Sequence, residues 1–368
     1  MTSLALDTLV HWIVEREALR KCRASGAPPP WTDDPLLAQY RFCNVNVQDD
    51  RVSRAIYDLV TAPHAGEPGL IVALAVCRCT NSPEVIEAVR DCLVPFDAAR
   101  FVAIMTDRAA RGLPLERRAY IVPGGVPGEQ KAVSLTRDLF TPLANAVEQI
   151  RPVPGDTCEA VFERLGHFHY LSGFLGAQII RDLKQVEPLR SAPDWKTFVR
   201  SGPGSQRGLN RILGAADIER QRPEAEWLDL FRQIVEIAAP RVAEHGVEVA
   251  DAQSWQNCAC ELDKFLRFRS GDLGGARPYQ PGAKPKPRKA KPKSAVPIEP
   301  PATIEPPAVM LHALPERAAA RDPTAVHVLY GDVESRSALN LKEVGPWVYA
   351  AHDSTDILCT ARMARAPS

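Results

Sequence analysis

The sequence has no long apolar run, no surplus of either charge and no export signal. Its longest hydrophobic stretch, residues 69–77, is nine residues, against the roughly 20 needed to span a bilayer. The first 20 residues are amphipathic and contain acids, without the apolar core and small-residue cleavage site of a signal peptide. These absences predict a cytoplasmic protein with no membrane partner. Lysine plus arginine number 45, and so do aspartate plus glutamate. Bulk charge therefore indicates no nucleic-acid partner, and only its distribution can. The nine cysteines are odd in number and scattered, which argues against a disulfide framework. Cys77/Cys79 and Cys258/Cys260 are C-x-C pairs, without the C-x-x-C spacing or the second half of a zinc site. Reduced, mostly buried thiols are the expectation. No Gly-Lys-Ser/Thr occurs, which excludes a Walker A loop within this sequence.

What is present reads as helix. Asp49 and Asp50 are placed to cap a helix carrying Val52, Ile56, Leu59 and Val60 at helical spacing. Val133, Leu139, Leu143, Val147 and Ile150 repeat the pattern. Asp156 and Glu159 have capping-box spacing. Pro223 stands at a helix start before the stripe of Trp227, Phe231, Ile234 and Ala238. Trp255, Leu262, Phe265 and Leu266 mark one more helix, and residues 119–122 have the alternation of a short strand. A mainly α, multi-helix domain is predicted over residues 1–275.

Composition then changes. Residues 271–307 are dominated by glycine and proline, and residues 276–322 are predicted to be a disordered linker. At its centre lie Lys284, Lys286, Arg288, Lys289, Lys291 and Lys293, six positive charges in ten residues separated by prolines. Such a run is either a solvated linker or a tether lying along DNA phosphates. Residues 323–368 read as a short α/β fragment, too small for an independent core of normal stability.

Several motifs, in one order, carry a resemblance. Pro30-Trp-Thr-Asp-Asp-Pro35, Tyr40-Arg-Phe-Cys-Asn-Val45, Asp49-Asp-Arg-Val-Ser-Arg54, Cys79-Thr-Asn-Ser-Pro83, the segment from Gly202 to Arg211, and Asn257-Cys-Ala-Cys-Glu-Leu-Asp-Lys264 resemble phage proteins of thymine hypermodification. These are the alpha-glutamyl/putrescinyl thymine pyrophosphorylase group and the helical domain of 5-hydroxymethyluracil DNA kinases. The resemblance covers most of residues 1–280. It implies a post-replicative reaction on double-stranded DNA, in which the 5-hydroxymethyl group of uracil, activated as a pyrophosphate ester, is replaced by an amino acid or polyamine. A phage kinase and a DNA polymerase are the implied partners. No motif requires a cofactor, and Mg2+ is compatible with a pyrophosphate substrate.

The chemistry such a reaction needs is charge stabilisation at the departing pyrophosphate and a base for the amine. Gly202, Gly204, Ser205, Arg207, Asn210 and Arg211 form a glycine-rich segment whose backbone can approach an anion closely. With a helix starting near Arg207, the two arginines one turn apart would clamp phosphate oxygens; the alternative is a turn with solvated arginines. Arg41, Asn44, Asp50, Arg51 and Arg54 cluster at a helix start, either as substrate ligands or as caps. Asn257, Glu261 and Lys264 share one helical face, where Glu261 suits a general base and Lys264 an ion pair. Phe168-His-Tyr-Leu-Ser-Gly-Phe-Leu-Gly176, running on to Asp182, resembles the helix-hairpin-helix of DNA glycosylases. Asp182 is then a catalytic acid or, alternatively, a surface acid paired with Arg181 or Lys184.

Near the C-terminus, Asp332-Val-Glu-Ser-Arg-Ser337, Leu341-Lys-Glu-Val-Gly345 and Ser354-Thr-Asp-Ile-Leu-Cys359 resemble the first motif of the 3′–5′ exonuclease domain in phage family-A DNA polymerases. Asp332 and Glu334, two apart on a strand, fall on one side as shared metal ligation requires. The family's later carboxylates have no counterpart before Ser368, so the resemblance implies an incomplete, vestigial metal site. Rivals to hypermodification are a base-excising glycosylase-type enzyme and a DNA-binding adaptor for a polymerase.

Overall fold

The computed structural model describes residues 3–117, 122, 129–274 and 276, together with the backbone of 333–336 and 356–359. The described part is mainly helical, as the patterning predicts. In chain order the helices are α1 (Ser3–Ala24), α2 (Pro35–Gln39), α3 (Arg51–Ile56), α4 (Leu70–Thr80), α5 (Pro83–Val89), α6 (Ala98–Ala110) and α7 (Lys131–Leu135). They continue with α8 (Thr141–Asn145), α9 (Val147–Ile150), α10 (Cys158–Gly166), α11 (Phe174–Leu183), α12 (Pro203–Leu213), α13 (Glu224–Ala243) and α14 (Ala252–Arg269). The chain divides into two compact units, Met1–Arg288 and Lys289–Ser368. In the second, strands β1 (Val333–Arg336) and β2 (Asp356–Cys359) pair antiparallel, Val333 opposite Cys359.

The first unit holds two hydrophobic cores, and the chain visits one of them twice. Leu9, Trp12 and Ile13 of α1 pack with Trp227, Phe231 and Ile234 of α13 and with Cys258, Leu262 and Phe265 of α14. Between these two visits, residues from Ile56 to Phe198 build the other core around α4, whose Ile71, Leu74 and Val76 are fully enclosed. A helix buried on every side reads as a continuous apolar run, which is what residues 69–77 are.

Capping chemistry sets the element boundaries. Asp34 begins α2 by accepting the N–H groups of Leu36 and Leu37 at 2.9 and 3.0 Å. The expected box at Asp156 and Glu159 is shifted by one residue. Thr157 is the N-cap of α10 and accepts from Ala160, while Asp194 accepts the N–H groups of Cys158 and Glu159. Pro223 immediately precedes α13, as its fixed φ suits. The helix expected from Val133 to Ile150 is instead three short helices, with a wide π-type turn at Thr136–Phe140. The strand expected at 119–122 lies mostly outside the described residues, and Val122 is not in a strand.

Candidate functional site

Two motifs meet along α14 through contacts that span 213 to 223 residues of sequence. Asn257 Nδ2 donates to the Asn44 carbonyl at 2.9 Å. Glu261 accepts the Cys43 N–H at 3.1 Å and lies 3.3 Å from Lys264 Nζ, which also donates to the Arg41 carbonyl. Lys264 sits over the rings of Phe42 and Phe268 as well. The face of α14 expected from spacing alone is therefore a packing face, and its partner is the segment from Arg41 to Asp50. Glu261 is buried, and its Oε2 accepts from both Cys43 and Lys264, so it ties the two sides of this seam together.

Asp50 lies at the junction of the seam and α3. It is the N-cap of α3 by position, yet its carboxylate accepts the Asn44 N–H at 2.8 Å rather than a helix N–H. Burial pushes its pKa up to about 6, although the Asn44 bond and the charges of Arg181 and Arg16 oppose this and Glu261 reinforces it. Arg181, from α11, is buried, and its Nε has no partner among the described residues. Arg16, from α1, is 7% exposed. Its Nη2 donates to Asn44 Oδ1 at 2.5 Å, whereas its buried Nη1 has no partner among the described residues.

Beside this junction opens a cleft of about 530 Å³. Arg16, Arg20, Arg23, Arg51 and Arg54 line it, with Asn44, Asp49 and Asp58. Asp49 lies between Arg20 at 3.4 Å and Arg54 at 3.3 Å, and Arg51 reaches Glu84 at 3.0 Å. The pairs of Arg51 and Arg54, whose guanidinium groups are exposed, contribute little and exchange readily. Asn44, Arg51 and Arg54 are lining residues expected from the sequence, whereas Arg16, Arg20 and Arg23 are not. Their i, i+4, i+7 spacing on α1 is the signal that would have found them.

The segment from Gly202 to Arg211 is arranged differently from the expectation. Its helix, α12, starts at Pro203, four residues before Arg207. A Cβ on Gly204 would stand 2.2 Å from Cys260 Sγ, and one on Gly208 would stand 2.0 Å from the Ala259 carbonyl oxygen. A Cβ on Gly202 would meet Phe174 at 2.9 Å. The close approach these glycines permit is thus made by α14 and by Phe174. Arg207 and Arg211 both donate to Asp263, at 2.8 and 2.7 Å. Ser205 Oγ accepts the Gly202 N–H and a Gln256 N–H. Asn210 donates to the carbonyls of Ile218 and Arg220. Every side chain of the segment named as a phosphate ligand already has a protein partner.

The comparisons agree with the extent of this unit. The family model described as 5-hmdU DNA kinase, helical domain, matches residues 3–275. The chain belongs to that family. A 5-hmdU DNA kinase of Bacillus phage SP10 is 20% identical over 293 residues, covering 71% of this chain and 45% of the relative. The chain thus spans less than half the length of the curated relative it matches. No solved structure matches.

The family's helical domain also contains the remaining candidate acid. Asp182 is not a surface acid paired with Arg181 or Lys184. It is fully buried and accepts two bonds from Arg78 of α4, at 2.6 and 2.5 Å. Lys184 pairs instead with Asp251, the N-cap of α14. Both buried pairs cross between elements distant in sequence, and losing one partner would leave an uncompensated buried charge. Five of the eight described cysteines are buried, and burial pushes the Cys79 and Cys260 thiols up to about 12. Among the described residues no helix is long and apolar enough to cross a membrane. The basic run Lys284–Lys293 and Asp332 lie outside the described residues, and Glu334 lies on β1.

Proposed function

We propose that the chain acts on phage DNA carrying 5-hydroxymethyluracil, replacing the activated 5-hydroxymethyl group with an amino acid or polyamine. The observation that carries this reading is the convergence of Asn44, Asp50 and the α14 motif beside an arginine-lined cleft. Membership of a 5-hmdU DNA kinase domain family supports the link to this base. In the reaction the bond from the 5-methylene carbon to the ester oxygen breaks, and pyrophosphate leaves with the electron pair. The amine nitrogen forms the new C–N bond and gives up a proton. Asp50, ionised above about pH 6, suits the acceptor role better than Glu261, whose Oε2 is held by the Cys43 N–H and Lys264.

Full-length chain, DNA bearing a pyrophosphorylated 5-hydroxymethyluracil, Mg2+ and a mixture of amines make the test, read by mass spectrometry of the nucleosides. A heavier base with pyrophosphate release is expected, falling at least ten-fold in Asp50→Asn. An abasic site would instead indicate a glycosylase-type reaction. An unchanged base would overturn the transfer. That outcome would leave a second reading, a DNA-recognition domain serving an enzyme encoded elsewhere, which the 45% coverage of the relative favours.

A further inference from the structure

We propose that the five-arginine cleft is a binding site for a phosphate group of a nucleotide unit, with Arg16 as its floor. The inference rests on the functional reading above and deepens it by naming the group bound. A guanidinium cannot shed its proton to escape burial, and an unsatisfied buried N–H is costly. Arg16 is nevertheless held in the wall of a cleft with Nη1 unpartnered among the described residues, while its Nη2 is fixed by Asn44. Around it Arg20, Arg23, Arg51 and Arg54 outnumber the lining carboxylates Asp49 and Asp58, an excess partly offset by Glu17 and Glu84, which pair with Arg20 and Arg51. Its volume, about 530 Å³, is that of a small-molecule site rather than of a single ion. Arginine is the side chain whose geometry matches phosphate oxygens two at a time. The exposed guanidinium groups of Arg51 and Arg54 are held by half-buried Glu84 and Asp49 at 3.0 and 3.3 Å, contacts that a phosphate displaces at small cost, whereas Arg20 is fixed by two bonds to buried Glu17 at 2.7 and 2.6 Å.

The phosphate has two sources, the DNA backbone or an ester carried on the base, and one binding experiment separates them. Inorganic phosphate, inorganic pyrophosphate, unmodified duplex and duplex containing 5-hydroxymethyluracil are titrated against the full chain, Arg16→Met, and the exposed double variant Arg51→Gln/Arg54→Gln. Arg16→Met is expected to weaken binding at least ten-fold. The double variant is expected to weaken it several-fold. Loss on pyrophosphate, with pyrophosphate competing against duplex, assigns the site to the base-borne ester. Loss on duplex alone, with the double variant reducing the salt slope by about two, assigns it to the backbone. Melting curves accompany each variant; if Arg16→Met does not fold, the double variant decides. Affinities within two-fold of the parent for every probe, or no binding of any probe by the parent, overturn the site. The base-conversion assay is scored separately: conversion without phosphate binding here sinks only this inference, and phosphate binding without conversion sinks only the transfer.

Discussion

At the scale of single residues, Asp50 makes the strongest claim, because its environment works against its charge. Its folded-state pKa of about 6 lies above the ordinary 3.8, so folding favours the protonated form. The contribution to stability is complete below about pH 4 and is lost as pH rises through about 6. A displacement of this size corresponds to roughly 3 kcal/mol between the two protonation states. Asparagine can still accept the Asn44 N–H but cannot ionise. Asp50→Asn should therefore match the parent at pH 4 and exceed it by about 2–3 kcal/mol at pH 8, measured by urea unfolding. Equal stability at both pH values would mean that water reaches the carboxylate freely. Residues so strained against their own charge are commonly kept for function. Asp182, by contrast, is answered on both oxygens by Arg78 and is spent on structure.

At the scale of elements, the pair α12 and α14 shows what sequence can and cannot convey. Glycines four apart on a helix are compatible with an anion site or with close helix packing, since both need the missing Cβ. Only the partner decides, and the partner is Ala259 and Cys260 of α14. The helices themselves were legible: the Pro223 start, the stripe on α13 and the aromatic face of α14 all follow from periodicity and capping. The polar face formed by Asn257, Glu261 and Lys264 was legible too, but not the segment from Arg41 to Asp50 that covers it, because pairing between distant segments has no local signature. Gly208→Ala places its Cβ 2.0 Å from a backbone oxygen that cannot rotate away. It should cost more than about 2 kcal/mol in chemical denaturation. Gly204→Ala meets only the Cys260 sulfur at 2.2 Å, with the next atom at 3.3 Å, so Cys260→Ala should restore most of its loss. A stable Gly208→Ala would show that the two helices do not pack this closely in solution.

At the scale of the whole molecule, the sequence order of the cores explains why the site lies where it does. The chain builds part of one core, leaves it near Ile56 to build the other, and returns at Val199. The Arg41–Asp50 segment leads out of the first core, and α14 closes it. Functional groups from both ends of the unit therefore meet only when the chain has returned. Beyond that unit the distinctive feature of the sequence is its charge. The boundary between the two compact units falls inside the basic run, between Arg288 and Lys289. The run places six positive charges within ten residues, and each one that neutralises a DNA phosphate releases counter-ions and steepens the salt dependence. Replacing Lys284, Lys286, Arg288, Lys289, Lys291 and Lys293 with glutamine should lower the slope of log affinity against log salt by about two to five, since each contact contributes about 0.9. The loss should be uniform across DNA sequences and independent of whether the base is modified, because phosphate contacts carry no base information. The arginine cleft differs in that prediction if it takes the base-borne ester, for then its variants discriminate between modified and unmodified duplex. A slope unchanged by all six substitutions would reduce the run to a connector and leave DNA binding to the helical unit.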